Sequence, residues 1–163
     1  MGRLKAMAHA HGLLSESRWH GADLRRLVEE ELAPYRTTSD RFNIIGPATT
    51  LAPEACQPLS LALHELATNA AKSGALSWPT GRIGVSWLVS SRGLELTWLE
   101  SGGPPIDLPP VRKGFGSFVL VGSIEKQLNG TVVMNWRPGG LRVELFVPIA
   151  ELVATSALPV PAA

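Results

Sequence analysis

Glu65, Asn69 and Lys72 stand at i, i+4 and i+7, a spacing that confines them to an arc of roughly 60° on an α-helix. A carboxylate, a carboxamide and an ammonium grouped this way suit an anion carried with a hard cation, because oxygen donors suit Mg²⁺ and an ammonium suits phosphate. The same trio also describes a solvated helix face with an i, i+7 charge pair. Leu61 falls on the same arc, and neither reading accounts for it. Glu100 closes a hydrophobic run and opens Glu100-Ser101-Gly102-Gly103-Pro104-Pro105. Its carboxylate, an acceptor only, would select an exocyclic amine such as that of adenine where glycines let a flat ligand approach the backbone. An acid ending a strand before a turn is the plain alternative. In Arg112-Lys113-Gly114-Phe115-Gly116-Ser117, two cations precede a run of helical spacing. Free N–H groups and the positive end of a helix would meet phosphate there; a loop with a serine cap is the other reading. No G-x-x-x-x-G-K-[ST] and no complete G-x-G-x-x-G occurs, which excludes P-loop and Rossmann chemistry.

The elements that must position these residues follow from periodicity. Leu59, Ala62, Leu63, Leu66 and Ala70 form an apolar stripe at 3.6-residue spacing, so a helix over 53–73, or starting at Pro58, carries the trio beside its buried face. Pro58 leaves that start open, since proline inside a helix costs about 3 kcal/mol. Earlier helices are expected over 3–15 and 22–35, and two short strands around Gly46-Pro47 within 41–53. Period-two alternation predicts a hairpin from Ile83 to Trp98 and a second over 131–136 and 141–148. A Gly/Pro-rich loop over 101–116 has the length and composition of a lid, and a helix over 117–128 follows it, ended by Asn129-Gly130. This order predicts an α/β two-layer sandwich, a mixed and mostly antiparallel sheet with helices on one face.

Composition narrows the class further. With 163 residues the chain builds one core, and 15 Lys+Arg against 14 Asp+Glu give a net charge of +1, too little to predict nucleic acid or an anionic membrane as partner. The single cysteine, Cys56, excludes an internal disulfide framework and predicts a reducing, cytoplasmic setting. The longest apolar stretch near the C-terminus is broken by Pro148 and Glu151, so no membrane span is expected.

Taken together, these segments resemble the ATP-binding domain of sensor histidine kinases, specifically the HWE subfamily of the GHKL ATPases. Leu63-His64-Glu65-Leu66-Ala67-Thr68-Asn69-Ala70-Ala71-Lys72 is similar to that subfamily's N box, His64 included, and Trp98-Leu99-Glu100 to its W-x-E signature. Gly102-Gly103-Pro104, the segment 112–117 and Trp136-Arg137-Pro138 extend the similarity.

The resemblance implies a GHKL (Bergerat-type) fold preceded by an N-terminal helix. It implies that 1–18 end a helical dimerisation region and that 19–149 form the ATP-binding domain; residues 150–163, Ala/Pro/Val-rich and without period, are expected to form a disordered tail. Asn69 would ligate Mg²⁺, with Glu65 close to metal and phosphates, and Lys72 would contact phosphate; these three form the expected catalytic set. Glu100 would hold adenine, while Gly102, Gly114 and Gly116 shape the pocket and Arg112 and Ser117 complete the nucleotide contacts. His64 marks the subfamily without an assigned step. Ser73 replaces a frequent aromatic residue, and Phe118 stands where a basic residue is usual. The family's His-Arg-x-Lys-Asn phosphoacceptor motif does not occur in the sequence, and His9, His11 and His20 read as surface histidines. The expected activity is transfer of the ATP γ-phosphoryl group to a histidine on dimerisation helices, in cis or in trans, for relay to a response-regulator aspartate, with a homodimer allowed. A non-catalytic module of the same fold and a GHKL-type ATP hydrolase are the alternatives.

Overall fold

A computed structural model describes residues 22–37, 39–110 and 114–152. The helix expected over 3–15, the three histidines at 9, 11 and 20, Arg112, Lys113 and residues 153–163 lie outside the described residues.

Five strands form the main sheet in the order β2-β4-β5-β7-β6: β2 (Phe42–Ile45), β4 (Arg82–Val89), β5 (Gly93–Ser101), β6 (Thr131–Arg137) and β7 (Gly140–Pro148). β2 runs parallel to β4 and every other pairing is antiparallel. Alternation decides the faces, because successive side chains of a strand point to opposite sides. Ile83, Val85, Trp87, Leu94, Leu96, Trp98, Val143, Leu145 and Val147 are buried, whereas Leu88 and Leu99 on the opposite face are exposed. The buried face is covered by α1 (Leu24–Leu32), α2 (Pro53–Lys72) and α3 (Phe115–Val121), giving the two layers read from the sequence.

The strands expected within 41–53 are present but do not pair with each other. β2 joins the edge of the main sheet, and β3 (Thr50–Leu51) pairs with β1 (Ala22–Asp23). The link between them is tied to Trp87, whose indole N–H donates to Pro47 O at 3.0 Å, and a Cβ on Gly46 would lie 2.2 Å from that ring. Gly46-Pro47 is therefore a strap across the sheet edge rather than a hairpin turn.

α2 begins at Pro53, whose missing N–H costs nothing at a first helical position. Pro58 sits inside the helix, buried, where the bond it forgoes is to the carbonyl of Glu54 at the helix start. Leu59, Ala62, Leu63, Leu66 and Ala70 are all buried, so the apolar stripe faces the core as expected. The helix stops where Asn69 O accepts both Ser73 N (3.0 Å) and Gly74 N (3.1 Å), which turns the chain into a 3₁₀ turn, Ala75–Ser77.

α3 differs from the helix expected over 117–128. It begins at Phe115 with Gly114 at the N-cap, which places Ser117 inside the first turn and not at the cap, and after Val121 it widens into a π-helical turn, Gly122–Lys126. Gly122 is the weak point there, since glycine in a helix interior costs about 1 kcal/mol against alanine. Leu120, Ile124 and Leu128 still bury together, and Asn129 at φ 52° ends the segment. Past β7 the order continues through a helical turn, α4 (Ile149–Leu152), whose Leu152 is buried and accepts from Ala52 N at 2.9 Å. The expected start of a disordered tail at 150 is thus corrected by this packing. Among the described residues no helix is long and apolar enough to cross a membrane.

Candidate nucleotide site

The polar arc of α2 runs from core to solvent: Glu65 is 6% exposed, Asn69 is half-buried and Lys72 is exposed. α3 packs along this arc. A Cβ on Gly116 would lie 2.5 Å from Glu65 Oε2 and 3.6 Å from both amide atoms of Asn69, so the absence of a side chain there lets the first turn of α3 approach both residues. Leu61, one turn before Glu65, is buried at 8% exposure. The polar arc of α2 is thus buried at its start and opens to solvent towards Lys72.

β5 supplies the opposing wall. Trp98 and Glu100 are two residues apart, hence on the same face, and both are buried, Glu100 at 4% exposure. Glu100 Oε2 accepts from Ala75 N at 2.8 Å, and Oε1 accepts from the Trp98 indole N–H at 3.2 Å. Burial pushes the Glu100 carboxyl above its ordinary value, with those two hydrogen bonds acting in the opposite sense. The Ala75 bond depends on Gly74, where a Cβ would lie 2.3 Å from Glu100 Oε2.

Asn69 and Glu100 line one cavity of about 80 Å³. Its walls are the end of α2 with Ser73, the turn at Gly74 and Ala75, the loop residues Gly103, Pro104 and Ile106, and Trp136, Gly140 and Leu141 at the β6–β7 end. Glu65 and Gly116 lie together at the adjoining α2–α3 contact. Lys72 is on the exposed end of the same arc and is not part of the cavity wall.

Gly102 also stands outside the wall. At φ +68° it makes the turn after β5, where its carbonyl accepts from Thr80 Oγ1 at 2.7 Å, so Gly103 rather than Gly102 meets the cavity. Gly114 is exposed with open space around it, and Ser117 is half-buried on α3. Arg112 lies outside the described residues.

Sequence reasoning assigned no role to Gly74, Ala75, Trp136 or Gly140. Trp136 and Gly74 carried signals, one in Trp136-Arg137-Pro138 and the other as a glycine just past a helix end. Gly140, at φ +145°, abuts the backbone of Glu100, its Cβ position lying 2.0 Å from Glu100 O; only the strand pairing reveals that proximity.

The donor set bears on a metal. Glu65 and Asn69 bring oxygen atoms to one spot beside Gly116, and among the described residues there is no cluster of three or more His, Cys, Asp or Glu that would make an all-protein cage. Two oxygen-bearing side chains fit Mg²⁺, which takes few protein ligands, keeps several waters and takes phosphate oxygens.

Residues 1–48 match the family model described as HWE histidine kinase. Over 152 residues the chain is 37% identical to a blue-light-activated histidine kinase of Rhizobium johnstonii, covering 91% of this chain and 43% of that protein. Among solved structures, the Erythrobacter litoralis EL346 blue-light activated histidine kinase superposes with a TM-score of 0.75 at 15% identity, over 96% of this chain and 49% of that one. The ATP binding domain of PrrB from Mycobacterium tuberculosis superposes with a TM-score of 0.55 at 19% identity, over 78% of this chain and 94% of that one. The chain spans less than half the length of the relatives it matches in sequence. By sequence the chain is similar to the HWE histidine kinases over the regions matched, and its fold is that of the GHKL-type histidine kinase catalytic domain.

Proposed function

We propose that this domain binds Mg·ATP and transfers the γ-phosphoryl group to a histidine on separate dimerisation helices, in cis or in trans, for relay to a response-regulator aspartate in the cytoplasm. The carrying observation is the cavity that joins Asn69 on α2 to Glu100 on β5, two residues far apart in sequence with complementary chemistry. Glu100 accepts from the exocyclic amine of adenine with the lone pairs that Ala75 and Trp98 leave available. Trp136 and Ile106 offer apolar walls for the base. Asn69 and Glu65 hold Mg²⁺, which offsets phosphate charge when bound. Lys72 reaches the phosphates from the exposed end of the arc, and Gly114, Gly116, Ser117 and Arg112 border them.

A nucleotide needs more room than this cavity gives, since ligand sites are typically about 300–1,000 Å³. The first turn of α3, packed against Glu65 and Asn69, gives way on binding. In the transfer the P–O bond to the β-phosphate breaks, a P–N bond to the acceptor imidazole forms, and ADP leaves; the domain contributes positioning and charge neutralisation.

The test is thermal stabilisation by Mg·ATP, abolished in Asn69→Ala, followed by acid-labile labelling of histidine on added dimerisation helices. An unchanged melting temperature with Mg·ATP refutes nucleotide binding, and phosphate release without protein labelling indicates hydrolysis. A second reading, a nucleotide-binding regulator without transfer, draws support from Phe118. It is 70% exposed where the subfamily places a basic residue, although Lys126 Nζ lies 5.9 Å from its ring centroid. Stabilisation by Mg·ATP without histidine labelling would select that reading.

A further inference from the structure

We propose that Trp98 is a positioning residue for nucleotide selectivity: its indole N–H holds one oxygen of Glu100 so that the remaining lone pairs of the carboxylate face the cavity as a purine-reading acceptor. This rests on the reading of Glu100 as the group that meets the base.

Trp98 is fully buried between Val85 and Val143 on the neighbouring strands, and it does not line the cavity. Whatever it does for a ligand, it does through Glu100. The carboxylate has two oxygens and about four acceptor sites. Ala75 N takes one on Oε2 and the Trp98 indole takes one on Oε1, so each oxygen is pinned by a separate donor and the group cannot rotate without breaking a bond. Tryptophan differs here from any other large apolar core residue in one atom, since the indole offers a single donor and no acceptor. Phenylalanine would keep an aromatic ring in the core and lose only that donor and some volume.

Both donors also favour the ionised carboxylate, against the burial that disfavours it. An ionised, fixed carboxylate accepts from the amino group of adenine. It opposes guanine, whose carbonyl oxygen occupies the corresponding position and brings acceptor against acceptor. If the indole bond is lost, the carboxylate turns and takes up a proton more readily, and a protonated acid can donate to that carbonyl. The discrimination then falls even where the fold persists.

The experiment compares ADP and GDP affinity, each with Mg²⁺, for the 163-residue chain, Trp98→Phe and Glu100→Gln. The wild type prefers ADP, Glu100→Gln loses the preference, and Trp98→Phe lowers the ADP-to-GDP affinity ratio about fivefold or more, as expected for misdirecting one hydrogen bond to a charged group. A Trp98→Phe protein that binds both nucleotides more weakly with an unchanged ratio overturns the inference, because packing alone would then explain it. A second readout uses the wild-type indole. The ¹H–¹⁵N resonance of Trp98 moves upfield in Glu100→Gln and shifts when ADP is added; a resonance indifferent to both overturns the inference even if Trp98→Phe does not fold. A wild type that binds neither nucleotide defeats the functional reading itself, and the inference with it.

Discussion

Glu100 gives the domain a pH dependence that can be isolated by one substitution. Burial raises its pKa above the ordinary 4.5, against the opposing pull of the Ala75 and Trp98 hydrogen bonds. A carboxyl that holds its proton more tightly in the folded state contributes stability that is complete below the unfolded value and is lost as pH rises through the folded value. Stability from Glu100 therefore declines with rising pH, from about 4.5 upward, by at most about 1.4 kcal/mol for each pH unit until the folded pKa is passed. Glu100→Gln cannot titrate. Its amide oxygen serves one of the two donors, while its NH₂ faces the other, a pH-independent cost of about 1–3 kcal/mol. The melting temperature of wild type minus variant, taken from pH 4 to 8 by circular dichroism, should be largest in acid. It should then shrink by roughly 4–6 °C for each unit of pKa displacement, given the size of the domain. All other titrating groups are common to both proteins and cancel. Parallel curves, or an advantage that grows with pH, would refute the reasoning. The same proton competes with the adenine amine, so affinity for ADP relative to that of Glu100→Gln should fall in the acid part of this window, the titration of the nucleotide itself being common to both proteins.

Three further substitutions test the geometry. Gly74→Ala places a Cβ 2.3 Å from Glu100 Oε2 and 2.8 Å from the backbone of Ala70, and should cost about 1–3 kcal/mol in urea denaturation while weakening nucleotide binding, because the Ala75 bond and the acid must separate. Gly116→Ala meets only the end of the Glu65 side chain within 3 Å, so stability should change by no more than about 1 kcal/mol. The thermal shift with Mg·ATP should nonetheless fall, since the added methyl displaces the carboxylate beside the metal position. Glu31→Ala removes the acceptor shared by Ser60 Oγ at 2.8 Å and His64 Nδ1 at 3.0 Å, a network that fastens α1 to α2. Loss of about 1–3 kcal/mol is expected by thermal denaturation, whereas Glu31→Gln should recover part of it.

The Glu31–His64 pair shows what a sequence carries and where it stops. Periodicity places His64 on the helix that bears Glu65 and Asn69, because a 3.6-residue repeat is a local property and Leu59 to Ala70 display it without interruption. Its partner lies 33 residues earlier on another helix, and no spacing rule connects them. The same division runs through the site. The trio on α2 and the acid at the end of β5 were legible from side-chain chemistry and strand ends. The donors that fix that acid were not, since Ala75 contributes only a backbone N–H and Gly74 only the lack of a Cβ. Gly140 and Trp136 reach the cavity because β7 inserts between β5 and β6, a neighbour relation that no local spacing in the sequence gives. Leu61, the one apolar residue on the polar arc of α2, is buried like Glu65 one turn on, so the arc meets solvent only towards its Lys72 end. The element that closes over the middle of that arc is α3, whose Gly116 abuts Glu65 and Asn69, and only a residue without a Cβ lets it border the very side chains proposed to meet the metal and phosphates.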